Sequence, residues 1–337
     1  MVESVSANPL VGSLIFALGG LAGAVFAVPF RRIRGVAYES YWLVYALAGL
    51  LAFPLVLALK VIAGAGPKTL AQCAGFGALW GLGGLTWGLM IRYLGIGLGL
   101  AIGCGLCSAT GTLIPPLVTG QAGTLVATVG AKIVLGGVLG SLVGIALVGL
   151  AGKFKEGELT EEQKKAAVAE FDFRKGMLVA LFSGIASAGM NFGLQSGAAL
   201  EKAAAGTPTA WCGMPVLVVV FWGGLAVNVA WCLWQNGRNG TFADYGRMAK
   251  TAAPAWAALA GVIWACQFAC QKIGEPQMGD LKYIGFAVVM GSSIFFSSLL
   301  GLLMGEWKGT GAKTKGCLAL GILVLLVSFC VISYGTK

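Results

Sequence analysis

Apolar runs of about twenty residues, separated by short polar breaks, repeat along the whole chain. They fall near residues 9 to 30, 38 to 62, 69 to 91, 96 to 118, 131 to 152, 175 to 198, 210 to 236, 251 to 272, 282 to 304 and 316 to 334. Each run is close to the ~20 residues that a helix needs to cross a ~30 Å hydrocarbon layer. The pattern predicts an all-α integral membrane protein with ten transmembrane helices. The first run has no basic segment before it and carries Arg31, Arg32 and Arg34 after it, which reads as a retained helix rather than a signal peptide.

The one long polar connection, Lys153 to Asp172, mixes Glu156, Glu158, Glu161 and Glu162 with Lys153, Lys155, Lys164 and Lys165, as a solvated amphipathic linker does. It divides the chain into a first five-helix repeat (1–152), a linker (153–173) and a second repeat (174–337). A shift of 164 positions superposes Gly12 on Gly176, Leu14 on Leu178, Gly20 on Gly184, Ala22 on Ala186 and Ala24 on Ala188. An odd number of helices per half makes the second repeat enter the membrane from the opposite side. Such inverted repeats are a transporter architecture, with the solute held near the midplane and exposed alternately to each side.

Composition narrows the class further. Of 337 residues, 58% are hydrophobic and 11% charged, with a mean hydropathy of +0.86, which excludes a soluble globular fold. The 54 glycines suit close helix packing in lipid. The net charge of +10 is spread over an apolar chain with no basic domain, so no nucleic-acid partner is expected. Counting Lys and Arg by loop places 16 on the side of the odd-numbered loops and 7 on the side of both termini. Basic loops stay cytoplasmic, so both termini are expected on the outer side. Nine cysteines, whose single C-x-x-C at Cys104 and Cys107 has no second to pair with, and no histidine, argue against disulfides, zinc or any other metal, and no cofactor is expected.

No span has an acidic residue at its middle, so the polar content of the bundle is amide, hydroxyl and indole. The third span carries a stripe of Gly77, Gly81, Gly84 and Gly88 flanked by Trp80 and Trp87. The sixth repeats Ser183, Ser187, Asn191 and Gln195; the seventh aligns Gly224, Asn228, Trp231 and Gln235; the eighth aligns Trp264, Gln267 and Gln271. Any one buried amide can serve as glue between helices, and a glycine stripe is a common packing groove. Amide stripes on three helices of one half fit a cavity for a neutral polyol, whose hydroxyls pair with amides while indoles cover its C–H faces. Trp80, Trp87, Asn191, Gln195, Asn228, Trp231, Trp264, Gln267 and Gln271 are therefore the candidate solute-binding residues. A membrane enzyme would need a nucleophile-base pair, a metal cluster or paired carboxylates, and none is visible.

The run Phe26-Ala27-Val28-Pro29-Phe30-Arg31-Arg32 with Glu39, then Trp80-Gly81-Leu82-Gly83 and Arg92-Tyr93-Leu94-Gly95, resembles the L-rhamnose-proton symporter family of the drug/metabolite transporter superfamily. Phe171 to Gly176, Ser187-Ala188-Gly189-Met190, Asn228, Gln267-Phe268 and Glu306-Trp307 extend the resemblance over nearly the whole chain. It implies a multi-pass bacterial inner-membrane protein that takes up a neutral 6-deoxyhexose such as L-rhamnose with a proton, by alternating access; an exporter of the same superfamily is the alternative. The chain departs from the family pattern at Gly84 and around Asn191, on proposed site faces. A proton symporter needs a group whose proton affinity changes between states, and without histidine that group is a carboxylate. Glu39, Asp280 and Glu306 stand at the edges of spans; pairing with Lys308 or Arg92 is the ordinary reading of Glu306, so Glu39 and Asp280 are the candidates, with Glu39 preferred because it falls in the segment that resembles the family. The competing reading of Glu39 is an interfacial ion pair with Arg31, Arg32 and Arg34.

Overall fold

The computed structural model describes residues 8–51, 55–118, 120, 122–168, 170–207 and 211–335. The side chains of 55–57, 115–116, 118, 165–167, 280–284 and 286–287 also lie outside the description, among them that of Asp280. The described residues are helical, with no strand. The helices are α1 (Pro9–Val25), α2 (Tyr38–Ala46), α3 (Leu55–Ala63), α4 (Pro67–Leu94), α5 (Ile96–Val118), α6 (Thr124–Ala127), α7 (Val129–Glu158) and α8 (Glu161–Ala167). They continue with α9 (Phe173–Ser196), α10 (Ala198–Ala203), α11 (Met214–Asn239), α12 (Ala243–Met248), α13 (Ala253–Gly274), α14 (Gly285–Leu303) and α15 (Ala312–Gly335).

Eight of these helices are long and apolar enough to cross a membrane, and a ninth segment, Val288–Leu303, is apolar but shorter. The second predicted span is not continuous: α2 passes into a π-helical turn at Leu47–Leu51, and α3 follows residues 52–54, which lie outside the described residues. The predicted linker is partly helix as well. α7 runs on to Glu158, and α8 starts with a capping box in which Thr160 and Gln163 satisfy each other's backbone N–H groups.

Helix starts follow local chemistry. Asn8 accepts from Val11 N before Pro9, Thr128 accepts from Ala131 N, and Asp172 accepts from Lys175 N. The α4–α5 turn depends on Gly95, whose φ of 88° a side chain would strain. It is pinned by Glu306, whose carboxylate accepts from Ile96 N (2.8 Å) and Gly97 N (3.0 Å) at the positive end of α5.

Packing follows the glycines. A Cβ on Gly77 would lie 2.1 Å from the Val220 carbonyl oxygen, and one on Gly223 2.0 Å from that of Ala74, so α4 and α11 meet backbone to backbone. α4 also packs on α9, and α9 on α5. Elsewhere α1 packs on α13 and α14; α2 lies against α11 and α13, α5 against α14, and α7 against α15. Near the linker, Lys155 is fully buried without a hydrogen-bond partner among the described residues, its ammonium 4.9 Å from the Phe171 ring and 4.8 Å from the Trp307 ring.

Candidate functional site

A cavity of about 110 Å³ lies where α1, α2, α4, α5, α9, α11, α13 and α14 converge, room for several waters. Trp80 stacks on Trp264 with ring centroids 5.4 Å apart, and Phe268 packs edge-on against both, forming one wall. Asn191, Gln267 and Gln271 line the space, and no described residue hydrogen-bonds their side-chain amides. Their positions are set by small neighbours: a Cβ on Gly23 would sit 2.2 Å from the Gln267 Oε1, and one on Gly111 2.7 Å from the Asn191 Nδ2. Gly84 also lines the cavity, between Trp80 and Trp87, and a Cβ there would meet nothing within 4 Å.

Of the nine residues expected to bind solute, Trp80, Trp87, Asn191, Asn228, Trp264, Gln267 and Gln271 come together at this cavity. Asn228 differs in its bonding. Its Oδ1 accepts from Trp42 Nε1 (2.8 Å), and its Nδ2 donates to the Gly224 carbonyl (2.8 Å), so its hydrogen bonds are spent inside the protein. Gln195 is exposed. Residues four apart drift by about 40° per step on a helix of 3.6 residues per turn, and the stripe from Ser183 to Gln195 therefore turns by about 120°. Ser183 donates to the Gly83 carbonyl, Ser187 and Asn191 face the cavity, and Gln195 has rotated away.

Trp231 keeps the face of Asn228 but lies about one turn further along α11. It lines a separate pocket with Gln235, Glu39 and Arg92. Between that region and the cavity stand Phe26 and Trp42, which line both the cavity and a charged vestibule containing Arg31, Arg92, Glu170 and Glu306. Trp42 stacks on Tyr38 (5.0 Å) and leans on Tyr45 (4.4 Å), and Gly88 admits it: a Cβ there would lie 2.4 Å from the indole. This aromatic partition was not expected from the sequence; the signal available was the clustering of Tyr38, Tyr41, Trp42 and Tyr45 after the Phe26 motif.

Glu39 is 5% exposed and forms no ion pair among the described residues. Its Oε1 accepts from Asn239 Nδ2 (3.0 Å) and Thr241 Oγ1 (2.8 Å), and Arg92 lines the same pocket. In place of the competing reading, a pairing with Arg31, Arg32 and Arg34, the carboxylate is held by neutral donors at and just after the end of α11. Asp244, which reads as a loop residue, is buried: it accepts from Ala37 N (2.7 Å) at the start of α2 and pairs with Arg247 (2.6 Å). Lys272, counted from sequence only as a loop charge, lines the far end of the cavity from Trp42 and pairs with Glu201 and Glu275. Among the described residues, no group of three His, Cys, Asp or Glu side chains could hold a metal ion.

Residues 6–337 match the family model described as L-rhamnose-proton symport protein. The chain is 30% identical over 341 residues to the L-rhamnose-proton symporter of Cronobacter sakazakii, covering 96% of this chain and 97% of that one. It is 28% identical to those of Citrobacter koseri and Klebsiella pneumoniae, in each case over 94% of this chain and 95% of the relative. No solved structure matches. A match over nearly the full length places the chain in a family of membrane transporters, not enzymes, and it belongs to the L-rhamnose-proton symport protein family.

Proposed function

We propose that this protein is a bacterial inner-membrane symporter that carries a neutral 6-deoxyhexose such as L-rhamnose inward with a proton, by alternating access. The observation that carries the solute class is the cavity: among the described residues, three amides without a hydrogen-bond partner face stacked indoles, and the one cation on the wall, Lys272, is already matched by two carboxylates. Amides that both donate and accept suit hydroxyls, indole faces suit C–H surfaces, and no free charge is left for an ion. Trp80, Trp87, Trp264, Asn191, Gln267 and Gln271 hold the solute, while Asn228 holds Trp42.

Alternating access between two inverted five-helix halves, 1–152 and 174–337, is supported by the packing scheme. Exchanging α1 with α9, α4 with α13 and α5 with α14 turns the contacts of α1 with α13 and α14 into those of α9 with α4 and α5. The same exchange, with α2 for α11, turns α2 on α13 into α11 on α4, and it leaves the α5–α14, α7–α15 and α2–α11 pairs unchanged in kind. By the distribution of basic residues, the Arg92 end of the bundle faces the cytoplasm, the Lys272 end and both termini face outward, and Phe26 with Trp42 bars the inward path.

Proton coupling falls to Glu39, a buried carboxylate held by neutral donors with Arg92 nearby, and Asp280 is the second candidate. Uptake of labelled L-rhamnose into proteoliposomes with an imposed pH gradient tests the whole reading, with L-fucose, L-lyxose and L-mannose as competitors. Accumulation should collapse with a protonophore. Glu39→Gln should abolish gradient-driven accumulation yet keep counterflow exchange. Normal accumulation by both Glu39→Gln and Asp280→Asn refutes the coupling assignment, and export under the gradient refutes symport.

A further inference from the structure

Lys272 occupies an unusual position for a cation. It lies on the last turn of α13, its side chain is 10% exposed, and it forms part of the cavity wall. Its ammonium donates to Glu201 Oε1 (2.9 Å) and to Glu275 Oε2 (3.1 Å), two acids that are each more than a third exposed and are not part of that wall. The aliphatic stem therefore faces the cavity while the charge is held at its rim. The start of α11 is shaped for this stem, since a Cβ on Gly213 would lie 2.5 Å from Lys272 Cδ.

The two acids play different parts. Glu275 follows Lys272 by three residues on the same stretch of chain, so it orients the ammonium without joining separate elements. Glu201 lies on α10, directly after α9, so its bond ties the end of α13 to the end of the helix that carries Asn191. A second ion pair has the same logic at the other end of the bundle: Arg92, on the last turn of α4, pairs with Glu170, shortly before α9. The first pair lies beside Gly213 at the start of α11 and the second by the pocket that Asn239 lines at its end, and the 26 residues of α11 span about 39 Å at 1.5 Å per residue. α9 is thus tethered at both ends, each time to the last turn of a helix whose middle holds one of the stacked tryptophans.

We propose that the Lys272–Glu201 ion pair is the latch that closes the outer end of the cavity, and that it must part before solute can enter. The proposal rests on the alternating-access reading above for which end is outer. With the pair formed, the Lys272 stem is held in the wall of the cavity that Asn191 lines; with it broken, the stem is free to leave the wall. A partly exposed ion pair contributes little to overall stability, so its loss should shift how often the mouth opens and should not unfold the bundle.

The test is thiol accessibility, which needs no sugar. Asn191→Cys, in a background with the nine native cysteines replaced, is labelled from the outer side by a membrane-impermeant reagent. Glu201→Gln and Lys272→Gln should each raise the labelling rate by about three- to fivefold, the population shift expected from losing an ion pair of this kind. Val36→Cys, in the vestibule at the opposite end, should label from that side at an unchanged or lower rate. Unchanged or slower labelling of Asn191→Cys in both variants overturns the latch, and so does faster labelling at both ends, which reports general loosening. If either variant is not monodisperse, the charge-exchanged set Glu201→Lys, Lys272→Glu and Glu275→Lys, which keeps both contacts in reversed sense, is measured instead, and it should label at the parent's rate. Rhamnose uptake, read on the parent protein that keeps Asn191, together with unaltered labelling would remove the latch and leave the transport reading standing. Altered labelling without rhamnose uptake would do the reverse.

Discussion

Gly23 and Gln267 should behave as one unit in solute binding. A methyl group added at Gly23 would lie 2.2 Å from the Gln267 Oε1 and 2.8 Å from its Cδ, where ordinary contacts begin at 3.4 Å. The amide would have to retreat by about an ångström, enough to break a hydrogen bond that tolerates only a few tenths. Loss of one such bond to a solute hydroxyl in a site shielded from water costs about 1–3 kcal/mol, or about 5- to 150-fold in Kd. Gln267→Ala should lose that amount by removing the amide, and Gly23→Ala should lose a similar amount by displacing it. In the double variant the clashing atoms are gone, and the remaining close neighbour is the Ser293 Oγ at 3.2 Å. Gly23→Ala should therefore add almost nothing once Gln267 is alanine, which is a coupling energy as large as the single effect. Helix propensity works the other way, since alanine is favoured over glycine by about 1 kcal/mol, so a loss cannot come from a weaker α1. Equilibrium binding of labelled L-rhamnose by the four purified proteins gives the cycle. Singles that multiply in the double variant, or a Gly23→Ala protein that binds normally while Gln267→Ala does not, would refute the geometry. Normal binding by Gln267→Ala would make Gln267 glue between helices.

Asn228→Ala leaves the buried Trp42 N–H without its acceptor, so the detergent-solubilised protein should melt several degrees lower, with a cost of about 1–3 kcal/mol; lost binding at an unchanged melting temperature would instead make Asn228 a solute ligand. The Lys175 backbone N–H that Asp172 accepts, aided by the Lys175 ammonium, holds the Asp172 carboxyl below its ordinary range. Its capping contribution should then be complete above the unfolded carboxylate value of about 4 and fade as pH falls through the lower folded value. Asp172→Ala should cost about 1 kcal/mol near neutral pH and less in acid, and a pH-independent difference in thermal stability would contradict this. Cysteines introduced at Glu156 and Lys337, in a background lacking other reactive thiols, should label from opposite sides of the membrane, and labelling of both by an impermeant reagent in intact cells would overturn the ten-span topology.

What could be seen in the sequence depended on whether a feature is periodic or terminal. Apolar length marks a span whatever its neighbours, so α1, α4, α5, α7 and α9 fall where the runs predict, while the π-turn at Leu47–Leu51 leaves no mark in a run that stays apolar throughout. A shared helical face is likewise legible over one or two turns: Trp264, Gln267 and Gln271 reach one cavity. It fails over longer stretches, where the four-residue repeat from Ser183 to Gln195 outruns the helix by a third of a turn. It also fails along the axis, where Trp231 keeps the direction of Asn228 but lies beyond the Trp42 partition. Charges at helix ends were the least legible. Glu39, Asp244, Glu306 and Lys272 all stand where a chain leaves an apolar run, and nothing local distinguishes a solvated end from one packed on another. Each is instead used between elements far apart in sequence. Glu39 joins the start of α2 to the end of α11, Asp244 caps α2, Glu306 caps α5, and Lys272 ties α13 to α10. On the proposed alternating-access reading, the bundle changes contacts at its ends while its middle stays packed, so the residues that set its states are of the kind that spacing along a single helix does not reveal.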